Sequence, residues 1–203
     1  MMLRRAFLSI ALLAAVPFPV LAQANAGQPA PAFTLTDLDG RKVALADLRG
    51  KYVVLEWTNP SCPFVQKHYG SGNMQSLQKR FTTEGVYWIV INSTAASHSE
   101  HLKPADQKSW LQQHGAAASI AALDADGTVG RAYGAKTTPH MYVIDPKGLL
   151  VYAGAIDDKR SANPADVKTA NNYVVQALAE LRAGKPVSAP STQAYGCTIK
   201  YGS

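Results

Sequence analysis

The sequence contains few cysteines and few charged residues, and each shortage excludes a class of protein. Only 2 of the 203 residues are cysteines, too few to form the main scaffold of a small disulfide-stabilised protein. Charged residues make up 17% of the chain, and no cluster of lysines and arginines alternates with aromatic residues, so nothing indicates a nucleic-acid surface. The hydrophobic share of 47% excludes a disordered polymer. One domain of this length buries a full core without covalent crosslinks.

The first 24 residues have the three parts of a secretory signal peptide. Arg4 and Arg5 precede an uncharged apolar run at residues 6–16, and small residues follow. We predict cleavage after Ala24, with cleavage after Ala22 as the alternative. The apolar run is short for a membrane span, and no later run reaches about 18 apolar residues. The prediction is export to the periplasm or beyond, by the general or the twin-arginine route, with no stable membrane anchor after processing. A retained anchor is the alternative.

Export would change both the charge and the redox setting of the protein. Removal of Arg4 and Arg5 would lower the formal net charge from +6 to +4, which leaves the mature chain mildly basic. Outside the cytosol, thiols can pair and remain paired. The two cysteines are therefore available for redox chemistry.

The mature sequence alternates between predicted strands and predicted helices. Two short alternating runs around Asp39 and Gly40 predict a β-hairpin. Apolar and β-branched runs predict strands at 51–57, 86–91, 120–123, 141–145 and 149–152, and helical spacing predicts helices at 64–69, 73–84, 104–114, 128–133 and 164–183. This order predicts a layered α/β domain over residues 25–184 with a mixed sheet. Residues 185–203 are expected to form a polar tail that carries Cys197.

Cys62 is the candidate nucleophile. It follows a predicted strand and lies between Pro60-Ser61 and Pro63, where a helix is expected to begin. The first turn of a helix carries unpaired N–H groups and the positive end of the helix dipole, and both favour a thiolate over a thiol. A thiolate can attack a disulfide or an oxidised sulfur. The alternative is a buried structural cysteine, for which this turn is an unfavourable place.

Two segments of the chain resemble the thioredoxin-like superfamily. They are WTNPSCPFV at residues 57–65 and TTPHMYVID at residues 137–145. The resemblance is closest to the redoxin or peroxiredoxin-like branch (alkyl hydroperoxide reductase and thiol-specific antioxidant) and extends from about residue 27 to residue 183. It implies a thioredoxin-like fold, in which a central mixed β-sheet is flanked by helices, with an N-terminal β-hairpin and, here, an extended C-terminal tail. It also implies thiol-dependent oxidoreductase activity.

The resemblance further implies a substrate-binding edge at Thr138 and Pro139. In such proteins the matching proline is cis and faces the reactive sulfur, and a cis bond of this kind normally marks a constrained turn. The backbone of Thr138 would then pair with an incoming chain, which adds a strand beside the sulfur. An ordinary trans proline at the start of a strand is the alternative.

The chain departs from the patterns of its relatives at three places. Val65 occupies the position of the second cysteine of thioredoxins, so the nucleophile has no local partner. Asn59 stands where peroxiredoxins carry Thr or Ser, with Thr58 one position away, and Pro139 occupies about the place of their arginine. The set of residues that activates a peroxide is therefore incomplete, and Arg131 could complete it only if the fold brings it close.

Cys197 is the candidate resolving cysteine, in a tail long enough to swing toward Cys62. A nucleophilic cysteine without a resolving thiol stalls as a mixed disulfide or a sulfenic acid. Three states stay open at this point: a redox-active pair, a permanent structural bridge and two unpaired thiols.

Three further residues are candidate helpers. Glu56 lies in an apolar strand, where burial would raise its pKa and let it exchange a proton with the sulfur. The alternative is a carboxylate that faces solvent. Thr58 lies in the turn before Cys62, and His140 follows Pro139 as a candidate base, with a packing or surface role as its alternative. No close-spaced pair of ligands supports a metal site.

The sequence as a whole predicts an exported thiol-disulfide oxidoreductase that needs no cofactor, because two sulfurs carry the chemistry. Cys62 attacks a disulfide-bearing protein held at Thr138 and Pro139, Cys197 resolves the intermediate, and an external thiol reductant restores both thiols. One alternative is a peroxiredoxin-like thiol peroxidase that reduces a hydroperoxide. Another is a non-catalytic binding or metal-carrying module with a structural Cys62–Cys197 disulfide.

Overall fold

The computed structural model describes residues 24–202, so the predicted signal peptide lies, apart from Ala24, outside the described residues. The strands are β1 Thr34–Thr36, β2 Lys42–Ala44, β3 Val53–Trp57, β4 Tyr87–Asn92, β5 Ile120–Leu123, β6 Thr137–Thr138, β7 His140–Ile144, β8 Leu150–Gly154 and β9 Cys197–Thr198. The α-helices are α1 Pro63–Gly70, α2 Asn73–Thr83, α3 Pro104–Gln113, α4 Thr128–Tyr133 and α5 Tyr173–Arg182. Two short 3-10 helices cover Leu45–Leu48 and Pro164–Lys168.

The central sheet is mixed, as predicted, and has the strand order β5-β4-β3-β7-β8. β4 runs parallel to both β3 and β5, whereas β7 runs antiparallel to both β3 and β8. β1 and β2 form the predicted hairpin around Asp39 and Gly40. The predicted strands and the first four predicted helices are confirmed, with ends that differ by at most two residues. The layered thioredoxin-like arrangement places β3 at the centre of the sheet.

Both faces of the sheet are covered, which explains the continuous apolar run in β3. Val54 packs in a core formed with α1, α2, α3 and α5, whereas Val53, Leu55 and Trp57 pack in a second core under the β1–β2 hairpin and α4. All five residues of β3 are buried. Side chains of a strand alternate between its faces, so Glu56 faces the same core as Val54.

The prediction of one helix over residues 164–183 is wrong. The chain instead forms the 3-10 helix Pro164–Lys168, leaves helical geometry, and starts α5 at Tyr173. Asn172 is the reason, because its side chain caps α5 by accepting a hydrogen bond from the Val175 N–H at 3.0 Å. Asn172 also forms a β-bridge with Asp157, which fixes the extended segment between the two helices.

The C-terminal tail is docked on the domain, which corrects the expectation of a polar segment free to swing. β9 pairs antiparallel with β6, and the tail residues Tyr195 and Ile199 are buried. Burial of these two side chains and pairing of the backbone both stabilise the docked position. Among the described residues, no helix has both the length and the apolar character that a membrane crossing requires.

Candidate active site

The turn after β3 places Cys62 at the start of α1. Asn59 organises this turn: its side-chain oxygen accepts from the Ser61 N–H at 2.8 Å, and its backbone oxygen accepts from the Cys62 N–H at 3.0 Å. The Asn59 amide nitrogen donates to Glu100 Oε2 at 2.8 Å and to Thr94 Oγ1 at 3.2 Å. The loop before the cysteine is thus held from both sides.

Cys62 occupies the N-cap of α1, as the sequence predicts. All of α1 is among the described residues, and the Cys62 sulfur makes no capping hydrogen bond with the N–H groups of this helix. Pro63, at the first helical position, has no N–H group to donate. The sulfur turns instead toward the Thr138 carbonyl oxygen, 3.0 Å away. The Cys62 residue is 2% exposed.

The structure brings Cys197 to Cys62 across 135 positions of sequence. The two Sγ atoms are 2.6 Å apart, closer than two unbonded sulfurs normally approach, and no disulfide joins them. Burial and the neighbouring Cys62 sulfur raise the pKa of Cys197 to about 12. Cys197 therefore holds its proton firmly at neutral pH. Two thiols at this distance are positioned to form a disulfide after a small displacement.

The β6–β9 pairing explains how Cys197 reaches this position. Cys197 lies opposite Thr138 in the ladder, and the Ile199 N–H donates to the Lys136 carbonyl at 3.0 Å. Gly196 has a φ of +134°, and a β-carbon there would collide with the Thr138 carbonyl. Only glycine allows so close a backbone approach.

The docked tail occupies the edge that the resemblance assigns to substrate. The Thr138–Pro139 bond is cis, as that resemblance implies. However, the Thr138 backbone pairs with β9 of the same chain, and Thr138 is 3% exposed. The expectation that this backbone is open to an incoming chain is wrong for the docked state, because the tail is itself an added strand.

Tyr195 is the residue of this region that sequence reasoning missed. Its hydroxyl donates to Asp157 Oδ1 at 2.5 Å, and its ring packs edge-on against Phe64 of α1 with centroids 5.8 Å apart. Lys67 and His68, which are also on α1, each lie within hydrogen-bond distance of the Tyr195 hydroxyl. The available signal was an aromatic residue two positions before Cys197 in an otherwise polar tail.

Glu56 is fully buried, so the solvent-facing alternative is excluded. Its carboxylate accepts hydrogen bonds from Trp88 Nε1 at 2.7 Å, the Tyr69 hydroxyl at 2.9 Å and Gln78 Nε2 at 3.0 Å. Burial raises its pKa to about 7, against the lowering effect of these three donors. Glu56 and Cys62 face the same core, but Cys62 is not among the three residues that donate to the Glu56 carboxylate.

His140, another candidate helper, lies apart from the sulfur pair. His140 contacts the Lys136 N–H at 3.2 Å and the Tyr142 hydroxyl at 3.3 Å, on the face of the sheet opposite Cys62. Burial lowers the pKa of His140 to about 4. The packing alternative therefore describes His140 better than a role as a base. The Thr58 hydroxyl is buried and has no hydrogen-bond partner among the described residues.

Neither a peroxide-activating arginine nor a metal cluster appears among the described contacts of Cys62. The Arg131 guanidinium lies 4.7 Å from the Tyr201 ring and donates to the Gly202 carbonyl, in the last part of the tail. Within residues 24–202, no three His, Cys, Asp or Glu side chains converge as metal ligands do. The site consists of two sulfurs, a carbonyl oxygen and a docked strand.

Known proteins are similar to this chain in sequence and in structure. Thiol-disulfide oxidoreductase ResA of Bacillus subtilis is 28% identical over 125 residues, which cover 62% of this chain and 64% of that protein. The match thus spans less than two thirds of this relative's length.

Two solved structures extend the comparison. An uncharacterized conserved protein from Geobacillus kaustophilus superposes with a TM-score of 0.77 at 29% identity, covering 88% of this chain and 93% of that one. A putative thiol:disulfide interchange protein DsbE from Chlorobium tepidum gives 0.52 at 26% identity, covering 64% and 85%. The model of the AhpC/TSA family matches residues 26–153, more than half of the sequence. The chain therefore belongs to the AhpC/TSA family and has a thioredoxin-like fold.

Proposed function

We propose that this protein is a thiol-disulfide oxidoreductase with Cys62 as the nucleophile and Cys197 as the resolving cysteine. The observation that carries the proposal is the 2.6 Å separation of the two sulfurs, with Cys62 lying against the Thr138 carbonyl. Membership of the AhpC/TSA family and the similarity to ResA support thiol-dependent chemistry. The reaction needs no cofactor, since both electrons are exchanged between sulfur atoms.

The reaction proceeds in three exchanges that conserve atoms and electrons. The Cys62 thiolate attacks one sulfur of a substrate disulfide, forms a mixed disulfide and expels the other substrate sulfur as a thiolate. Cys197 then attacks the Cys62 sulfur, expels the second substrate thiolate and leaves a Cys62–Cys197 disulfide. The first expelled thiolate accepts the proton of Cys197, which lets Cys197 attack as a thiolate. An external dithiol reduces the internal disulfide and is itself oxidised.

The tail has to leave β6 before a protein substrate can bind. In the docked state Cys62 is 2% exposed and the Thr138 backbone is already paired. Once the tail has left, Thr138 and Pro139 present a free edge to which an extended segment of the substrate can add as a strand. Return of the tail brings Cys197 back for the second exchange.

Of the helper residues, Glu56 fits a supporting role best. A buried carboxyl group with a pKa of about 7 is close to half protonated at neutral pH, so it can store or release a proton in the core that also contains Cys62. Thr58 stays a candidate through its position in the turn before Cys62.

We infer that the protein acts outside the cytosol, in the periplasm or a comparable compartment. The support is the charge, length and cleavage pattern of residues 1–24 in the sequence. Its partners would be a disulfide-bearing protein and an external thiol reductant.

A second candidate function is reduction of hydroperoxides, and the AhpC/TSA family match favours it. The Cys62 thiolate would attack the peroxide, release water or an alcohol and become a sulfenic acid, which Cys197 would convert to the disulfide with loss of water. The position of Arg131, against Tyr201, does not support it. Stopped-flow mixing with hydrogen peroxide tests this alternative, because a rate no faster than that of a free thiol excludes it.

The main proposal is tested by turnover of a protein disulfide, such as reduction of insulin by dithiothreitol, with single variants. Cys62→Ser is expected to abolish the catalysed rate. Cys197→Ser is expected to retain the first attack and, when it is mixed with the protein disulfide without dithiothreitol, to accumulate a mixed disulfide on Cys62, which peptide mass analysis identifies. Ser61→Ala, at an exposed neighbouring position, is the control and should match the unmodified protein. A Cys62→Ser variant that keeps the full rate would overturn the proposal.

A further inference from the structure

A buried polar cluster under the tail has no place in the exchange steps described above. It consists of Lys67 and His68 from α1, Asp157 from the segment after β8, and Tyr195 from the tail. All four residues are at most 6% exposed. Lys67 and His68 each lie 3.8 Å from Asp157 without help from the tail, and the docked tail adds the Tyr195 hydroxyl to them. The cluster thus joins the first helical turns after Cys62 to the residues just before Cys197.

Lys67 is the most costly member of the cluster to bury. It is 1% exposed, and its Nζ donates to the Lys159 carbonyl at 2.8 Å and lies 3.8 Å from Asp157 Oδ2. A lysine is almost never fully buried unless it is paired, because desolvation of its ammonium group costs several kcal/mol. Its ammonium also lies 5.5 Å above the Tyr195 ring and 3.5 Å from its hydroxyl.

His68 completes the hydrogen bonding of the Tyr195 hydroxyl. The Asn73 amide donates to His68 Nδ1 at 2.9 Å, so the proton of the neutral ring is on Nε2. That Nε2–H points at the Tyr195 hydroxyl oxygen, 3.4 Å away. Burial lowers the pKa of His68 to about 3, which keeps the ring neutral.

The Tyr195 hydroxyl is therefore the single tail group that closes the cluster. It donates to Asp157 Oδ1 at 2.5 Å and accepts from His68. Burial raises the pKa of Tyr195, so the hydroxyl stays a neutral donor. A hydrogen bond to a buried carboxylate is among the stronger kinds in proteins. The ring alone could pack on Phe64, but only the hydroxyl fixes its depth and direction.

We propose that Tyr195 is a positioning residue that holds Cys197 against Cys62 by anchoring the tail in this cluster. The inference rests on the proposed function, in which Cys197 resolves the intermediate on Cys62. Tyr195 touches no reacting atom; it acts through Gly196, the one residue that separates it from Cys197. The docked tail covers Cys62, so the strength of this anchor sets how often the nucleophile is exposed.

The test is Tyr195→Phe, which keeps the ring on Phe64 and removes only the hydroxyl. In the reduced protein, alkylation of Cys62 by iodoacetamide should accelerate about 10- to 100-fold, as expected for loss of one hydrogen bond to a charged group. Peptide mass analysis measures the two cysteines separately. Tyr133→Phe is the matched control, because it removes a hydroxyl that donates to the Pro31 carbonyl at 2.8 Å and has no part in the Tyr195 cluster.

Two further measurements separate positioning from a general loss of stability. Hydrogen exchange of the β3 amides reports opening of the whole domain, and the opening free energy that it gives should exceed the one that governs Cys62 alkylation, both in the unmodified protein and in Tyr195→Phe. Gly196→Ala displaces the tail at the Thr138 carbonyl without touching the cluster, so it should also expose Cys62. If Gly196→Ala accelerates Cys62 alkylation and Tyr195→Phe leaves it within twofold of the unmodified protein, the inference is wrong.

Failure of the inference and failure of the proposed function give different results. The equilibrium between the unmodified protein and glutathione disulfide shows whether a Cys62–Cys197 disulfide forms at all; if none forms, the proposed function is wrong. The other case is that the disulfide forms, but Tyr195→Phe changes neither the equilibrium constant for disulfide formation nor the protection of Cys62. The proposed function is then supported, and the inference that Tyr195 anchors the tail is wrong.

Discussion

Replacement of Glu56 by Gln should change how the stability of the protein depends on pH. In the unfolded chain the carboxyl group ionises near its ordinary pKa of 4.5, whereas in the folded protein burial raises the pKa to about 7. Between these values the folded state binds more protons than the unfolded state. The free energy of unfolding contributed by Glu56 therefore falls as pH rises through this window and is constant above it.

The size of the effect follows from the two pKa values of Glu56. A change from 4.5 to about 7 corresponds to about 3 kcal/mol of unfolding free energy, lost between pH 4.5 and pH 8. Gln does not ionise, so Glu56→Gln removes this slope. Its amide also changes the hydrogen bonds with Trp88, Tyr69 and Gln78, which adds an offset that does not vary with pH.

The assay is urea unfolding at a series of pH values, followed by circular dichroism. His68 and His140 have lowered pKa values, about 3 and about 4, so each contributes stability that rises with pH up to about 6.5. These slopes occur in both proteins and cancel in the difference. Asp47→Asn, at an exposed carboxylate, is the control and should give a flat difference. A flat difference for Glu56→Gln as well would refute the reasoning about burial.

Two more variants test other parts of the argument. Asn172→Ala removes the acceptor for the Val175 N–H and should lower the free energy of unfolding by about 1 kcal/mol in urea titrations; an unchanged value would show that another group ends the extended segment. His140→Asn should leave the rate of insulin reduction unchanged, since His140 lies on the face opposite Cys62. The same variant should lose less stability than the unmodified protein when pH falls from 6.5 to about 4, and a tenfold loss of rate would return His140 to the site.

Much of the fold could be predicted because its signals are local. β3 is a continuous apolar run, and the hairpin follows an Asp39-Gly40 turn, so neighbouring residues alone specify them. Cys62 at the start of α1 follows from the same local pattern. The helix predicted over 164–183 failed because apolar spacing gave no sign that Asn172 would cap a new helix and bridge to Asp157.

The arrangement around Cys62 required the tertiary structure. Strand alternation did not determine which face of the sheet the Glu56 side chain occupies. Only the packing of α2 and β4 showed that Gln78 and Trp88 enclose its carboxylate. The role of His140 could not be predicted for the same reason. Its position next to Pro139 is read from the sequence, but the face of the sheet on which its side chain lies depends on the pairing of β7 with β3.

The sequence by itself determined the class of domain and the position of Cys62 at the start of a helix, and it contains a second sulfur in the tail. The first two features depend on interactions between residues close in the chain. Only the tertiary structure decided that the tail docks as a strand on Thr138, that Gly196 permits this approach, and that Tyr195 closes a buried cluster with Asp157. Such contacts join segments far apart in sequence, and their geometry depends on the packing of the whole domain.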